Sequence, residues 1–472
     1  MVSRGIDLAL VRGPGPRSGY GRLVLPPLGL LSIAAAAEMG GWRVAVVDAP
    51  GEGLSQADFL ERLRTLRPFA IGLTGMTPMR EQIARDISAT RHLCERLVLG
   101  GVHATRFQDR ALAEFKDLDA LVIGEGDHSI CELLSFWAGG ERGLPPAGVL
   151  IRGEELRPAE APTDLDALPF PARHLVSHHR YRYVFQTRPR FTTMVSSRGC
   201  PFRCTFCDKT VSGSAWRARS ANNVVDELEE IRYRFDIGSV CLFDDNFTLR
   251  RKRVVAICEE ILRRGLDIHW KCEARVDGVD RELTRLMAAA GCKTIAFGLE
   301  SGNQSSLDLL QKDQQVASAR TAIQAAASAG IETVGYALVG IPGETPTSSR
   351  ATLQLARETG LDFIQFSTLS PYEGTELFQQ AQDSAWLRQT RVRNPADAEE
   401  LRATLLAPGW SEKQLDRTLR QLYGGFYLRP GYLARQALRA SRNGVLTPRA
   451  RLGLELARWW VGRDRVAAAG SA

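Results

Sequence analysis

No apolar run in the 472-residue chain approaches the roughly 18 residues that a membrane-spanning helix needs. The opening residues, Met1-Val-Ser-Arg-Gly-Ile-Asp7, lack the succession of basic, apolar and small residues that marks a secretory signal. Nine cysteines are an odd number, and their spacings do not read as a disulfide framework. A cytoplasmic protein in a reducing compartment is therefore expected. A general excess of positive charge is missing as well. The net charge of +7 is carried by the end of the chain, where nine arginines lie between Arg429 and Arg465 against Glu455 and Asp464, and the remainder balances. The body has no electrostatic footprint for nucleic acid, and no nucleic-acid partner is expected. In the tail, arginines alternate with Leu433, Leu438, Leu452, Leu456, Trp459 and Trp460, a pattern that suits either a solvated basic helix or peripheral contact with an anionic membrane or substrate.

What is present is dominated by Cys200-Pro-Phe-Arg-Cys204-Thr-Phe-Cys207. C-x3-C-x2-C spacing wraps three thiolates around one iron–sulfur cube and leaves the fourth iron open to a substrate or cosubstrate. Structural zinc would want four ligands, commonly from paired knuckles, and no second knuckle or Cys/His pair follows nearby. Cys94, Cys131, Cys241, Cys258, Cys272 and Cys292 lie in helix-like or strand-like apolar patterns and read as buried structural thiols.

At 44% hydrophobic and 24% charged, the chain can bury two or three domain cores. Apolar runs at 6–11, 42–47, 70–73 and 97–99 alternate with helical patterns at 29–39, 57–66 and 79–94, which implies a parallel, doubly wound sheet. Small, flexible sequences follow its strands: Asp48-Ala-Pro-Gly-Glu-Gly53, Thr74-Gly-Met-Thr77, Gly100-Gly-Val-His-Ala-Thr105 and Gly124-Glu-Gly126. Ligands of such sheets sit at those ends. Residues 141–190 are rich in proline and arginine and read as a connector. Strand-like runs near 192, 239, 269, 294, 333 and 363 then alternate with helical runs at 222–235, 250–264, 280–290, 316–329 and 347–359. Six such units make a partial barrel with its chemistry at the carboxyl ends of the strands, and the cysteine motif follows the first strand. The fold class is α/β throughout: a doubly wound domain over 1–140, a connector, a partial (β/α)6 barrel over 191–370, and amphipathic helices with a basic tail over 371–472. That last segment reads as a cap over the barrel mouth or as a packing or partner helix.

The cysteine triplet, preceded by Thr192-Thr-Met-Val-Ser-Ser197 and with Phe206 just before the last cysteine, resembles the radical S-adenosylmethionine superfamily. The resemblance implies that Cys200, Cys204 and Cys207 ligate a 4Fe–4S cluster. It implies further that S-adenosylmethionine chelates the open iron and is cleaved by the reduced cluster to a 5′-deoxyadenosyl radical. An external electron donor, a flavodoxin, ferredoxin or dedicated reductase, is then required. By the same resemblance Phe206 adjoins the cofactor, and Asp244 and Asp245 stand where the family binds the methionine amino group. Arg275 suits its carboxylate, Glu300 and Ser301 suit a ribose or substrate hydroxyl, and Gly340 and Gly343 cradle adenine. The same carboxylates also suit helix caps, and the same glycines suit turns.

The N-terminal strand ends resemble the cobalamin-binding domain fused ahead of many radical S-adenosylmethionine enzymes, which implies that Thr74, Gly100 and Gly101 accommodate the corrin and its tail. The D-x-H-x-x-G signature that supplies a histidine to cobalt is absent. His103 and His128 are the histidines near these ends, and neither is assigned as a ligand. The resemblance covers nearly the whole chain and includes C-methyltransferases and the anaerobic Mg-protoporphyrin monomethyl ester cyclase group. It implies hydrogen abstraction from an unactivated carbon of a small molecule, followed by methylcobalamin-dependent C-methylation. The same domains without methyl transfer would instead serve oxidative cyclisation, ring contraction or diol dehydration, as in aminoglycoside biosynthesis. A non-catalytic sensor predicts a degraded cluster motif or an output domain, and transfer-RNA methylthiolation predicts an N-terminal cysteine-bearing domain and an RNA-binding module. None of these is seen.

Overall fold

The computed structural model describes residues 5–15, 24–178, 180–394 and 397–443. The basic tail begins as a helix, Pro430–Asn443, and the rest of it, with Trp459 and Trp460, lies outside the described residues. Packing divides the chain into two compact units, one holding most of the chain to residue 202 together with 208–272, the other holding 203–207 and the chain from 273. Among the described residues no helix is long and apolar enough to cross a membrane.

The first unit begins with β1 (Ile6–Arg12), β2 (Val44–Asp48), β3 (Pro68–Thr74), β4 (Arg96–Gly100), β5 (Ala120–Val122) and β6 (Val149–Ile151), in sheet order β2-β1-β3-β4-β5-β6. β1 to β5 pair in parallel, and β6 runs antiparallel to β5. Both faces of the sheet are covered, which is why its strands are continuous apolar runs and not alternating ones. Leu8 and Leu10 pack with Leu30 and Leu31 of one helix layer, while Ala9 and Val11 pack with Phe59, Leu63, Ile83 and Ile87 of the other. The helix Gln56–Leu66 starts at a reciprocal capping box between Ser55 and Asp58. Strand β6 comes from the stretch read as a connector; a three-residue run is too short to show a period of its own. Strand order reverses between β1 and β3, so the switch point lies at their carboxyl ends.

The same unit continues through β7 (Phe191–Met194), the short antiparallel pair β8 (Ser197–Arg198) and β9 (Arg217–Ala218), β10 (Ser239–Leu242) and β11 (His269–Ala274) as far as Cys272. β7, β10 and β11 are parallel neighbours in that order, linked by helices Ala221–Tyr233 and Arg251–Arg263. The second unit contains β12 (Cys292–Glu300), β13 (Glu332–Val339) and β14 (Phe363–Thr368), again parallel, with helices Val316–Ser328 and Arg350–Glu358 between them. The six strands and five helical runs expected from apolar spacing all form, and the short helix Gln304–Leu309 and the pair β8–β9 come in addition.

Beyond residue 371 helices were expected throughout, but β15 (Leu387–Asn394) and β16 (Asp397–Leu405) form an antiparallel hairpin. Thr390 and Val392 favour a strand, and Asn394-Pro395 is a turn signal. The helix Glu412–Tyr427 follows, and it closes the edge strand β14 in a specific way. The Tyr423 hydroxyl donates to Phe366 O at 2.9 Å and accepts from Phe366 N at 3.1 Å. The Tyr427 hydroxyl donates to Ile364 O at 2.7 Å and accepts from Ile364 N at 2.9 Å. A helical i,i+4 spacing of roughly 6 Å matches a strand i,i+2 spacing of roughly 6.6 Å, so two tyrosines satisfy the unpaired side of the strand. Tyr427→Phe is expected to lower the unfolding free energy by about 1–3 kcal/mol, because it strands a buried amide and carbonyl. Urea unfolding followed by circular dichroism measures this, and Tyr423→Phe should cost a similar amount.

Candidate active site

The approach to the cysteine motif is fixed from the end of β10. Asp244 is 1% exposed and accepts three hydrogen bonds, from Ser196 N at 2.7 Å, Ser196 Oγ at 2.6 Å and Ser197 Oγ at 2.6 Å. Its carboxylate is therefore committed to holding the chain that leads into Cys200, where binding of an amino group was expected. Its neighbour Asp245 is exposed and keeps capacity to accept from a donor. Gly199 has φ +83°, and a Cβ there would lie 2.3 Å from Ala215 O, so the turn into the motif requires glycine.

Cys207 is exposed and Cys200 and Cys204 are half-buried; Cys241, Cys258, Cys272 and Cys292 are buried, but Cys94 and Cys131 are half-buried and not buried as expected, and none of the nine is in a disulfide. Burial pushes the Cys94 thiol up to about 11 and the Cys258 thiol up to about 12, which removes them as thiolates at neutral pH. Cys207 is the one exposed thiol, and Cys200, Cys204 and Cys207, at a spacing that lets each meet a different iron, are a donor set that fits an iron–sulfur cluster. Among the described residues no three His, Cys, Asp or Glu side chains converge on one metal ion. A cube does not ask for that, because each thiolate binds a different iron.

In the second unit, Thr205 pins the middle of the motif: its N–H donates to Leu310 O and its carbonyl accepts from Leu377 N, both at 3.0 Å. Glu300 sits at a register shift in β12 with φ +58°, a left-handed conformation unusual for a non-glycine residue. Its Oε1 pairs with Lys312 Nζ at 2.6 Å, and that ammonium lies 6.0 Å from the Phe206 ring centroid. A Cβ on Gly298 would lie 2.7 Å from Glu300 Oε1 and 2.8 Å from Lys312 Nζ, so the ion pair occupies the space of a side chain. Arg275 does not project freely as expected. It donates to Asp277 at 2.8 Å and to the Lys312 and Asp313 carbonyls at 2.7 Å each, riveting the segment that carries Lys312. Ser301 Oγ donates to Glu344 Oε1 at 3.2 Å, and burial raises the pKa of Glu344. Glu344 Oε2 is buried without a hydrogen-bond partner, an open acceptor that fits a hydroxyl or amino group of a nucleoside ligand. Gly340 and Gly343 turn the chain ahead of it with φ +89° and +79°.

At the end of the first sheet Thr74 is exposed, and Gly101 and Gly124 have φ +87° and +78°. A Cβ on Gly124 would meet nothing within 4 Å, and one on Gly100 only Val122 at 3.8 Å, so the end of β5 opens on free space and the end of β4 leaves room for a Cβ. Such a cradle fits a large planar ligand. Gly101 differs, because a Cβ there would lie 2.7 Å from Thr74 Oγ1. His103 is 2% exposed, with neither ring nitrogen hydrogen-bonded, and lies 4.7 Å and 5.6 Å from the Phe107 and Phe115 ring centroids. Burial lowers its pKa, so it packs as a neutral ring and not as the hydrogen-bonding or surface group expected of a loop histidine.

Sequence reasoning overlooked Lys312, Arg106, Asp127, Arg198, Asp208 and Arg217. Each is a charged residue within a few positions of a motif glycine or cysteine, or in a loop closing on one. Only their pairing in space distinguishes them from solvated charges.

A three-cysteine motif after a barrel strand, with glycine-lined ends on a separate doubly wound sheet, defines a class of radical iron–sulfur enzymes with a second cofactor domain. Comparison with known proteins agrees: residues 194–356 match the Radical SAM superfamily model and residues 21–134 the B12 binding domain model. Uncharacterized methyltransferase PH0819 of Pyrococcus horikoshii is 28% identical over 91% of this chain and 93% of its own. The anaerobic magnesium-protoporphyrin IX monomethyl ester cyclase of Rubrivivax gelatinosus is 30% identical over 76% of this chain and 66% of its own. Among solved structures, the radical S-adenosylmethionine methyltransferase TsrM of Kitasatospora setae, with cobalamin and cluster bound, superposes with a TM-score of 0.72 at 18% identity, covering 90% of each chain. The chain belongs to the radical S-adenosylmethionine enzymes that carry a B12-binding domain. Its cofactors are accordingly a 4Fe–4S cluster, S-adenosylmethionine and cobalamin.

Proposed function

We propose that this enzyme methylates an unactivated carbon of a small molecule. The observation that carries the reading is the coexistence in one chain of the cysteine triplet with glycine-lined ends on β4 and β5. The relatedness to PH0819 over nearly the full length of both chains supports it. The bound cluster supplies an electron to S-adenosylmethionine, and the corrinoid carries the methyl group. In this reading Cys200, Cys204 and Cys207 hold the cluster, and Asp244 braces the chain ahead of them. Asp245 offers the exposed carboxylate to the methionine amino group. Phe206, the Glu300–Lys312 pair, Ser301 and Glu344 line the nucleoside side, Gly340 and Gly343 admit the adenine, and Arg275 acts by fixing Lys312. Thr74, Gly100 and Gly101 receive the corrinoid. The domain limits 1–140, 141–190, 191–370 and 371–472 belong to the same reading, with β6 joining the first domain. A flavodoxin, ferredoxin or dedicated reductase in the cytoplasm provides the electron, and the basic tail offers peripheral contact with anionic surfaces.

A second reading, cyclisation or another radical rearrangement without methyl transfer, is favoured by the 30% identity to the Rubrivivax gelatinosus cyclase. Product analysis separates the two. In an oxygen-free reaction with S-adenosylmethionine, hydroxocobalamin and dithionite, S-adenosylhomocysteine is expected alongside 5′-deoxyadenosine. Formation of 5′-deoxyadenosine alone would transfer the assignment to the second reading.

A further inference from the structure

Both ends of the cysteine motif are held by charged residues from the loops that the proposed function gives to the corrinoid. Upstream, Arg198 stands two residues before Cys200, and its guanidinium reaches Glu125 Oε2 at 2.6 Å and Asp127 Oδ2 and Oδ1 at 2.8 and 3.1 Å. Its cross-strand partner in the β8–β9 pair is Arg217, which donates to Glu125 Oε2 at 3.1 Å. Two arginines facing each other across a ribbon would repel. Here Glu125 bridges them, and Asp127 balances the second charge. The carboxylates are 4% and 7% exposed, so water screens this network little.

Downstream, Asp208 follows Cys207 directly and accepts from Arg106, which also donates to Thr210 Oγ1. Arg106 rides on the helix Val102–Phe107 that starts at Gly101, and Glu125 and Asp127 follow Gly124. The two loops are tied to each other as well: Thr105 Oγ1 donates to Gly101 O at 2.9 Å and accepts from Gly124 N at 3.0 Å. The glycines facing the cradle and the arginine–carboxylate contacts on the cysteine loop therefore lie on one connected pair of loops, within one compact unit.

We infer that Arg106, Arg198, Arg217, Glu125, Asp127 and Asp208 are positioning residues that couple corrinoid occupancy to the 4Fe–4S cluster. A ligand seated against Gly100 and Gly124 holds the two loops in place, and through these contacts it holds Arg198 and Asp208 on either side of the cysteines. Linkage makes the effect reciprocal: whatever factor the corrinoid adds to cluster retention, the cluster adds to corrinoid affinity. The inference rests on the proposed function for the identity of the two sites but adds a dependence between them.

The test uses the full chain, reconstituted anaerobically with iron and sulfide, with and without hydroxocobalamin. Cluster loss to a chelator and the electron paramagnetic resonance spectrum of the reduced cluster are followed in both states. In the wild type, corrinoid is expected to slow chelation by about fivefold or more, the lower end of ordinary coupling, and to alter the spectrum. Arg106→Gln and Asp208→Asn, at the more exposed clamp, should still bind each cofactor alone but lose most of the coupling. The charge swap Arg106→Asp with Asp208→Arg should restore part of it. Arg198→Lys keeps charge without the fork and should retain less coupling than wild type. A wild type that binds both cofactors with chelation and spectra unaffected by corrinoid would overturn the inference alone, as would clamp variants with undiminished coupling. A wild type that retains no corrinoid or no cluster would overturn the proposed function itself.

Discussion

Replacement of Cys200, Cys204 or Cys207 by alanine is expected to eliminate the cluster and all cleavage of S-adenosylmethionine while leaving a folded, soluble protein. The two halves of this expectation have different physical origins. Loss of activity follows because a three-thiolate cube has no spare ligand, and the remaining six cysteines have no route to it. Four are buried, and burial raises the thiol pKa of Cys94 and Cys131. Retention of the fold follows because the motif cysteines are half-buried or exposed, so removing a sulfur costs about 0.5 kcal/mol or less and creates no core cavity. Iron content, electron paramagnetic resonance and 5′-deoxyadenosine formation measure the first half, and thermal unfolding the second. A normal reduced-cluster signal that still responds to S-adenosylmethionine in all three variants would refute the ligand assignment.

Gly100→Leu is expected to weaken corrinoid binding strongly while leaving the protein folded. Gly100 has no left-handed backbone, and the nearest atom to an added Cβ is 3.8 Å away, so the backbone there accepts a Cβ without strain. A ligand resting on that surface does not. Overpacking of about 1–3 kcal/mol corresponds to roughly a five- to 150-fold loss of affinity. The measurement is corrinoid absorbance remaining after desalting of the reconstituted protein. Gly101 is the poorer probe, since its φ of +87° and the 2.7 Å approach to Thr74 Oγ1 make any substitution there strain the fold before a ligand is considered. Unchanged corrinoid retention in Gly100→Leu would place the ligand elsewhere.

Legibility varied with how local each signal was. The barrel strands and helices were readable because each carries its own apolar period, and a period survives whatever surrounds it. β6 and the hairpin β15–β16 were not, since a three-residue strand and a charged hairpin have weak patterns and depend on a neighbour for their hydrogen bonds. Among the site residues, the cysteines were legible because ligation demands a residue type at a spacing. The charged residues were legible as positions but not as roles. Asp244 and Arg275 stand at strand ends, as a ligand contact would, yet one is filled by Ser196 and Ser197 and the other by Asp277 and two carbonyls.

The amino-acid order alone was enough for the class of chemistry and for the two α/β domains, because three thiolates at fixed separation and alternating apolar runs act over a few residues of chain. Which carboxylates remain open to a ligand and which are consumed by the fold was settled only in three dimensions. Glu125 and Arg198 are far apart in sequence, and the pairing that joins the glycine-lined loops to the cysteine motif depends on Coulomb attraction across a buried contact. Such a contact has no period, spacing or composition by which a sequence could announce it.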